Sequence, residues 1–307
     1  MVTEKPSRIL LVVLVVVVVV AAGAAAVFVY EINKPKAGTS ILTVQLGDNV
    51  TVNYIGSFGS GAQSSSVFDT SIYSVAKNNL TYPKSLEYEP RGSLSAYTPL
   101  PVHVGAGAPS GGYTFGNLTF STVVTGFWQG LLGLSGNRSA NIVVPPSLGY
   151  GPMNASCIGT SALVYTVPVL ANIPAASFST EFPNATVAVG SIFADPTYGW
   201  NDSVFSVNST TVTVQSLPPL SWLAHPNGLP FRVGALNATT ITLTSTLVPS
   251  NAGLVLGHVT TGGLCGGTKF IVSAVDPGAG TFTENFNPEV QGETLDFDVT
   301  VVDIFPA

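Results

Sequence analysis

Alternation of apolar and polar side chains is the dominant pattern along this chain. Across residues 41–55, Val50, Val52 and Tyr54 fall on one face while Asn49, Thr51 and Asn53 fall on the other. That two-residue period predicts a half-buried strand. Ile142-Val143-Val144 predicts another strand, and the alternating run 295–304 predicts the last one. Between them, Phe127-Trp128-Gln129-Gly130-Leu131-Leu132 is apolar over much of a short helix. Gly133 to Asn137 closes it, since Gly and Asn accept the left-handed conformation that ends helices. The stretch 71–120 is rich in Pro and Gly and reads as a long excursion with only short extended pieces such as Val102-His103-Val104.

Beyond Gly151 short strands alternate with Pro and Asn. Residues 204–214 are echoed by 232–243: in both, a hydrophobic residue precedes Asn, a small residue and Thr-Thr follow, and a β-branched run completes the unit. This is the pattern of a hairpin turning at Asn208 and at Asn237. Residues 152–286 therefore read as a mostly β insert. Strand-rich segments bracketing one short helix predict an α+β fold, an antiparallel sheet wrapped on a helix.

A different pattern opens the chain. Residues 9–30 are apolar, small or aromatic throughout, and at ~1.5 Å per residue a helix of that length reaches across roughly 30 Å of hydrocarbon. A transmembrane helix is expected at 9–30, with a cytoplasmic tail at 1–8 and a linker at 31–40. Lys5 and Arg8 before it are balanced by Lys34 and Lys36 after it, so charge does not orient it. The small residues at 21–26 also offer a signal-peptide cleavage site, but the run continues through Val27-Phe28-Val29-Tyr30, which favours a retained anchor. Either reading puts the bulk of the chain outside the cytoplasm, in a single-pass protein of the cell membrane. Nine Asn-x-Ser/Thr triplets, at Asn49, Asn79, Asn117, Asn137, Asn154, Asn184, Asn201, Asn208 and Asn237, suit an exterior location.

Composition narrows the function classes. Only 8% of residues are charged, 46% are hydrophobic, and the net charge of −6 arises from few charges rather than an acidic run. Without a Lys/Arg cluster to follow phosphates, nucleic acid is not an expected partner. Cys157 and Cys265 permit one disulfide or two buried thiols, and the absence of Cys-x-x-Cys speaks against a thiol redox enzyme. His103, His225 and His258 lack ligand spacing, so no metal or other cofactor is expected. Leu134-Ser135-Gly136 does not complete a nucleophile elbow, which leaves a hydrolase unsupported. Few ionisable groups also predict a shallow dependence of stability on pH.

The most specific motifs are Val123-Val124-Thr125-Gly126-Phe127-Trp128-Gln129-Gly130-Leu131-Leu132-Gly133-Leu134 and Ile142-Val143-Val144-Pro145-Pro146-Ser147-Leu148-Gly149-Tyr150-Gly151. With Val52-Asn53-Tyr54-Ile55-Gly56 and Val67-Phe68-Asp69-Thr70 upstream, they resemble the FKBP family of peptidyl-prolyl cis/trans isomerases. The resemblance covers residues 44–151 and 292–304. It implies an FKBP-like curved antiparallel sheet around a short helix, in a domain made of 41–151 and 287–307. It implies Tyr54, Asp69 and Tyr150 as catalytic residues, and Phe68, Leu100, Val102, Val123, Val124, Phe127 and Phe297 as the substrate-binding pocket. Taken singly, Tyr54, Phe68, Phe127 and Phe297 read as core aromatics and Asp69-Thr70 as a turn or cap; their ordered set favours the pocket.

Asn287-Pro288-Glu289-Val290-Gln291-Gly292 is similar to the segment by which the SlyD-type branch returns from a chaperone domain inserted in the flap. Asp195-Pro196-Thr197-Tyr198-Gly199-Trp200 resembles a turn of long membrane-anchored archaeal relatives. The resemblance thus implies an extracytoplasmic isomerase whose insert binds unfolded or proline-containing polypeptide clients. The alternative is a cell-surface structural or adhesion protein with a degenerate pocket.

Overall fold

The computed structural model describes residues 42–107, 112–260 and 262–307. The expected cytoplasmic tail, membrane helix and linker at 1–40 lie outside the described residues. No helix among the described residues is long and apolar enough to cross a membrane. Residues Thr43–Ala307 form one compact unit.

The α+β expectation is corrected. The described residues hold nineteen strands, whereas the α-helices are α1 (Tyr73–Lys77), α2 (Thr125–Leu131) and α3 (Ala175–Glu181), the longest of seven residues. This is a mostly β protein. The physical reason is compositional: Val, Thr and Ser dominate the alternating runs, and β-branched side chains lose rotamer freedom in a helix but pack well on a pleated surface.

Five strands make the first sheet: β1 (Asn49–Phe58), β2 (Val67–Thr70), β3 (Leu100–His103), β6 (Ser139–Val144) and β19 (Leu295–Phe305). β1 and β19 pair antiparallel along their lengths, β6 flanks β19, and β2 and β3 share the far edge of β1. A small hairpin, β4 (Tyr113–Phe115) and β5 (Leu118–Phe120), lies in the excursion. On the inner face Val50, Val52, Tyr54, Phe297, Val299 and Val301 are buried with Phe127 and Leu131 of α2. Thr51, expected on the polar face of β1, is buried too, at a bulge where its hydroxyl donates to Asp303. Two glycines set how close α2 lies to the sheet. A Cβ on Gly126 would come within 2.7 Å of Val144, and one on Gly130 within 2.4 Å of Ile142. Gly133 (φ 79°), just past the helix, takes the left-handed conformation that ends it, and Asn137 (φ 60°) takes the same conformation in the turn before β6.

The insert is built from three tandem β-meanders. The first is β10 (Ile192–Ala194), β11 (Asn201–Val207) and β12 (Thr211–Ser216); the second is β13 (Leu223–Ala224), β14 (Phe231–Leu236) and β15 (Thr240–Ser245). The third is β16 (Leu256–His258), β17 (Lys269–Asp276) and β18 (Thr281–Asn285). Each takes a fourth strand from one continuous ribbon, β7 (Ile158–Ala162), β8 (Val164–Pro168) and β9 (Leu170–Pro174). The ribbon feeds them in reverse order: β9 joins the first meander, β8 the second, β7 the third. Cys157, Leu163 and Val169, spaced evenly along the ribbon, are its buried corners.

The meanders repeat in detail. Each has a bulge after an equivalent valine, Val204, Val233 or Val272. The carbonyls of these valines accept from the amides of Gly190, Ser221 and Gly253 respectively. At each hairpin tip an Asn or Asp side chain caps two backbone amides: Asn208 those of Thr210 and Thr211, Asn237 those of Thr239 and Thr240, Asp276 those of Gly278 and Ala279. The sequence echo revealed two of these units. The third, with Asp276-Pro277-Gly278 at its tip, diverged too far to read.

Two connections join insert and core, and Asn287 clamps them. Its side chain accepts from the Asn154 amide at 2.9 Å and donates to the Asn154 carbonyl at 3.1 Å, as a paired strand residue would. Gln291 donates to the Pro152 carbonyl and the Gly292 amide to that of Gly151. Cys157 and Cys265 form a disulfide with a Cα–Cα distance of 5.3 Å, tying the start of the ribbon to the third meander.

Candidate active site

A cavity of about 570 Å³ opens on the inner face of the first sheet, within the range of small-ligand and peptide sites. It is lined by Tyr54, Phe68, Asp69, Leu100, Thr122, Val123, Val124, Phe127, Tyr150 and Phe297. Nine of the ten residues named from the sequence meet here; the tenth, Val102, does not. Val102 points from β3 into the core at 0% exposure, because the residue that faces the cavity on that strand is Leu100.

The apolar part is a box of aromatic edges and faces. Phe127 meets Phe297 at 4.9 Å and 89°, Phe297 meets Phe68 at 5.6 Å and 90°, and Tyr54 meets Phe127 at 6.1 Å and 86°. Perpendicular contacts put positive ring edges against negative faces, so the walls hold their orientation without filling the void.

One polar network stands at the rim. The Tyr54 hydroxyl donates to Asp69, whose other oxygen accepts from the Thr70 amide at 2.8 Å. Arg91 donates to the Tyr54 hydroxyl at 2.9 Å and lies 3.2 Å from Asp69. Burial, reinforced by the Asp69 charge, pushes the Tyr54 hydroxyl well above its ordinary range, so it stays a proton donor. Tyr150 is presented from the other side. After β6, Pro145-Pro146 and a single turn carry the chain round, and the Gly151 amide closes that turn on the Pro146 carbonyl at 2.8 Å. Half of Tyr150 is exposed, its hydroxyl has no partner among the described residues, and burial and then Asp69 raise its pKa.

Sequence reasoning missed Arg91 and Thr122. Arg91 is the sole arginine of the Pro- and Gly-rich excursion, but nothing adjoining it in sequence marks the half-exposed Asp69 carboxylate as its partner. Thr122 carried no signal. The excursion that bears Arg91 is itself anchored: Glu289, just after the insert, accepts from the Ser85 hydroxyl and the Glu87 amide, and Lys269 of the third meander pairs with Glu89 at 3.1 Å. Among the described residues no cluster of His, Cys, Asp or Glu is arranged to hold a metal.

The chain matches no protein-family model, and no curated protein matches it.

Proposed function

We propose that the cavity is a peptidyl-prolyl cis/trans isomerase site in a protein that assists the folding of exported chains. One observation carries the reading: an open aromatic box whose rim holds one uncommitted neutral donor, Tyr150, beside a wall fixed by Tyr54 locked to Asp69 and Arg91. Rotation about an X-Pro bond needs no nucleophile and no proton transfer. Its barrier of ~18–20 kcal/mol comes from lost amide resonance. The twisted amide is less polar along C–N than the planar one, so an apolar cradle favours it over the better-solvated ground state. The carbonyl, meanwhile, keeps an acceptor for Tyr150, and Tyr54 with Asp69 fixes the neighbouring wall.

The insert supports capture of unfolded clients. Ribbon strands β7, β8 and β9 are each the last strand of their sheet. Leu163 and Val169 turn both backbone groups, and Cys157 its carbonyl, to the meanders, so by antiparallel alternation the residues between them, Ile158, Thr160, Ala162, Val164 and Thr166, turn theirs to the open edge. Side chains at these positions are exposed, and 158–174 carries no charge. Such an edge suits an extended, uncharged client segment added as a further strand. Pro168 and Pro174, which lack a donor, limit the competent edge to its first part. The disulfide supports an extracytoplasmic setting, where thiols oxidise and stay oxidised.

The test is cis/trans interconversion of a short proline peptide by the full chain, followed by exchange spectroscopy. Acceleration is expected, with Tyr150→Phe and Asp69→Ala each reducing kcat/KM by about ten-fold, the loss of one hydrogen bond of ~1–1.5 kcal/mol in the transition state. A folded wild-type chain without acceleration overturns the reading and leaves the surface-structural alternative.

A further inference from the structure

The three meanders differ in one chemical respect at their tips. The first turns at Asn208-Ser209-Thr210 and the second at Asn237-Ala238-Thr239, both Asn-x-Thr acceptors; the third turns at Asp276-Pro277-Gly278. All three tips are exposed and built on the same capped turn. At the first tip Asp would serve that turn as well as Asn does, since only the acceptor oxygen of Asn208 is used; at the second, Asn237 Nδ2 also donates to Thr240 Oγ1 at 2.8 Å. The turn alone therefore gives no reason for Asn at the first tip, and at the second only an exposed side-chain contact to Thr240.

A second difference coincides with the first. The residue before the tip Asn is a large exposed aliphatic in both Asn modules, Val207 at 42% and Leu236 at 47%, whereas the equivalent Val275 beside Asp276 is buried at 8%. Phe205, at 54% exposed, adds to the patch at the first tip. Exposed apolar surface thus occurs at the two tips that carry an acceptor sequence and is missing at the one that does not. A sugar ring has an apolar face that covers neighbouring aliphatic groups and a hydroxyl rim that faces water, so an attached glycan accounts for both differences together.

The fold also separates these two acceptors from others. Asn49 is committed to His103 inside β1, and Thr51 of the same triplet is buried, so a glycan there cannot coexist with the sheet. Asn154 sits against the connection clamped by Asn287. At the meander tips both asparagines are exposed, the one contact to open being that of Asn237 Nδ2 to Thr240 Oγ1, and the acceptor hydroxyls of Thr210 and Thr239 each lie 3.1 Å from the side-chain oxygen of their own Asn.

We infer that Asn208 and Asn237 are N-glycosylated, and that the third meander is the unglycosylated member of the set. The step transfers an oligosaccharide from a polyprenyl phosphate or pyrophosphate carrier by a membrane transferase. Asn Nδ2 bonds to the anomeric carbon as the bond from that carbon to the carrier's phosphate oxygen breaks. The electron pair leaves with the lipid phosphate, and the displaced Nδ2 proton passes to a base of the transferase. The inference is independent of the isomerase reading.

Tandem mass spectrometry of the full chain, purified from the cells that naturally make it, tests this. Peptides containing Asn208 and Asn237 are expected to carry sugar on those residues, and the peptide containing Asp276 to have its plain mass. Thr210→Ala, which keeps Asn208 and its turn-capping oxygen, should abolish modification at Asn208 and leave that at Asn237. Plain mass at both asparagines in the wild-type chain overturns the inference, as does sugar retained on Asn208 in Thr210→Ala.

Discussion

The first sheet and the insert use the same material, short antiparallel strands of β-branched residues, to opposite ends. In the first sheet five strands and a single helix face an interior left open, and aromatic rings hold a void of about 570 Å³. In the insert three copies of one meander close on a shared ribbon; Phe231, Val233, Ile241, Leu243, Phe270, Val272 and Phe282 fill the interior of the second and third, and Phe193, Val204, Val212 and Val214 pack with Phe178 of α3 in the first. An asymmetric sheet with one helix brings unlike residues to one place, as chemistry requires. A repeated unit brings like residues to evenly spaced places, as recognition of a long chain requires. The insert's polar exceptions are few, and one of them, Asp202, is buried beside Trp200.

Reduction of the disulfide should separate the two regions most. The bridge spans 108 residues, and constraint of a loop of that size is worth about 4.7 kcal/mol on the chain-entropy account. Cys157→Ala with Cys265→Ala is expected to lose amide-exchange protection throughout the three meanders while β1 and β19 keep theirs. Equal loss in both regions would show that they unfold as one. Phe127→Ala works from the other side. Removing a buried ring from the box should cost ~3–5 kcal/mol, measured by urea denaturation, and lower exchange protection in β6 and α2 before it touches the ribbon.

A smaller effect distinguishes the regions by pH. Asp202 accepts from the Trp200 indole at 3.0 Å, and burial, followed by the neighbouring Asp195 carboxylate, pushes its carboxyl up to about 7. Unfolded, it returns to about 3.9. The folded chain then binds the extra proton, so this group's contribution is fully present below about pH 4 and is lost as pH rises to about 7. Burial raises Glu289 and Glu293 as well, with the same sign. The shallow profile expected from sparse charge therefore gives way to one tilted toward acid. Melts between pH 4 and 8 should show wild type losing stability, by up to a few kcal/mol, where Asp202→Asn loses less and keeps only the slope that Glu289 and Glu293 contribute. Parallel profiles for the two chains would exclude this carboxyl as the source.

Much of the site was legible because its chemistry is carried by short contiguous motifs. Phe68-Asp69, the turn of Pro145 to Tyr150 and the helix around Phe127 each keep their local geometry wherever the chain goes. Val102 failed because alternation tells which residues share a face of β3 but not which of them reaches the cavity. Arg91 was invisible for a different reason: 22 residues separate it from Asp69, and no local rule records which carboxylate a distant guanidinium meets.

By itself the sequence determined the long strands of the first sheet, the short helix with its glycine stop, the hairpin turns at Asn208 and Asn237, and the set of aromatics that make the box. These follow from side-chain period and backbone preference, which act over a few residues. Only the tertiary structure decided that the described chain is mostly β, that 158–174 serves three sheets in turn, and that a third meander completes the set. It also decided that Asp202 is buried beside Asp195 and that Asn287 clamps both connections to the insert. Each of these depends on residues far apart in the chain becoming neighbours, and the energy of such a contact is set by what surrounds it rather than by the residues that adjoin it in sequence.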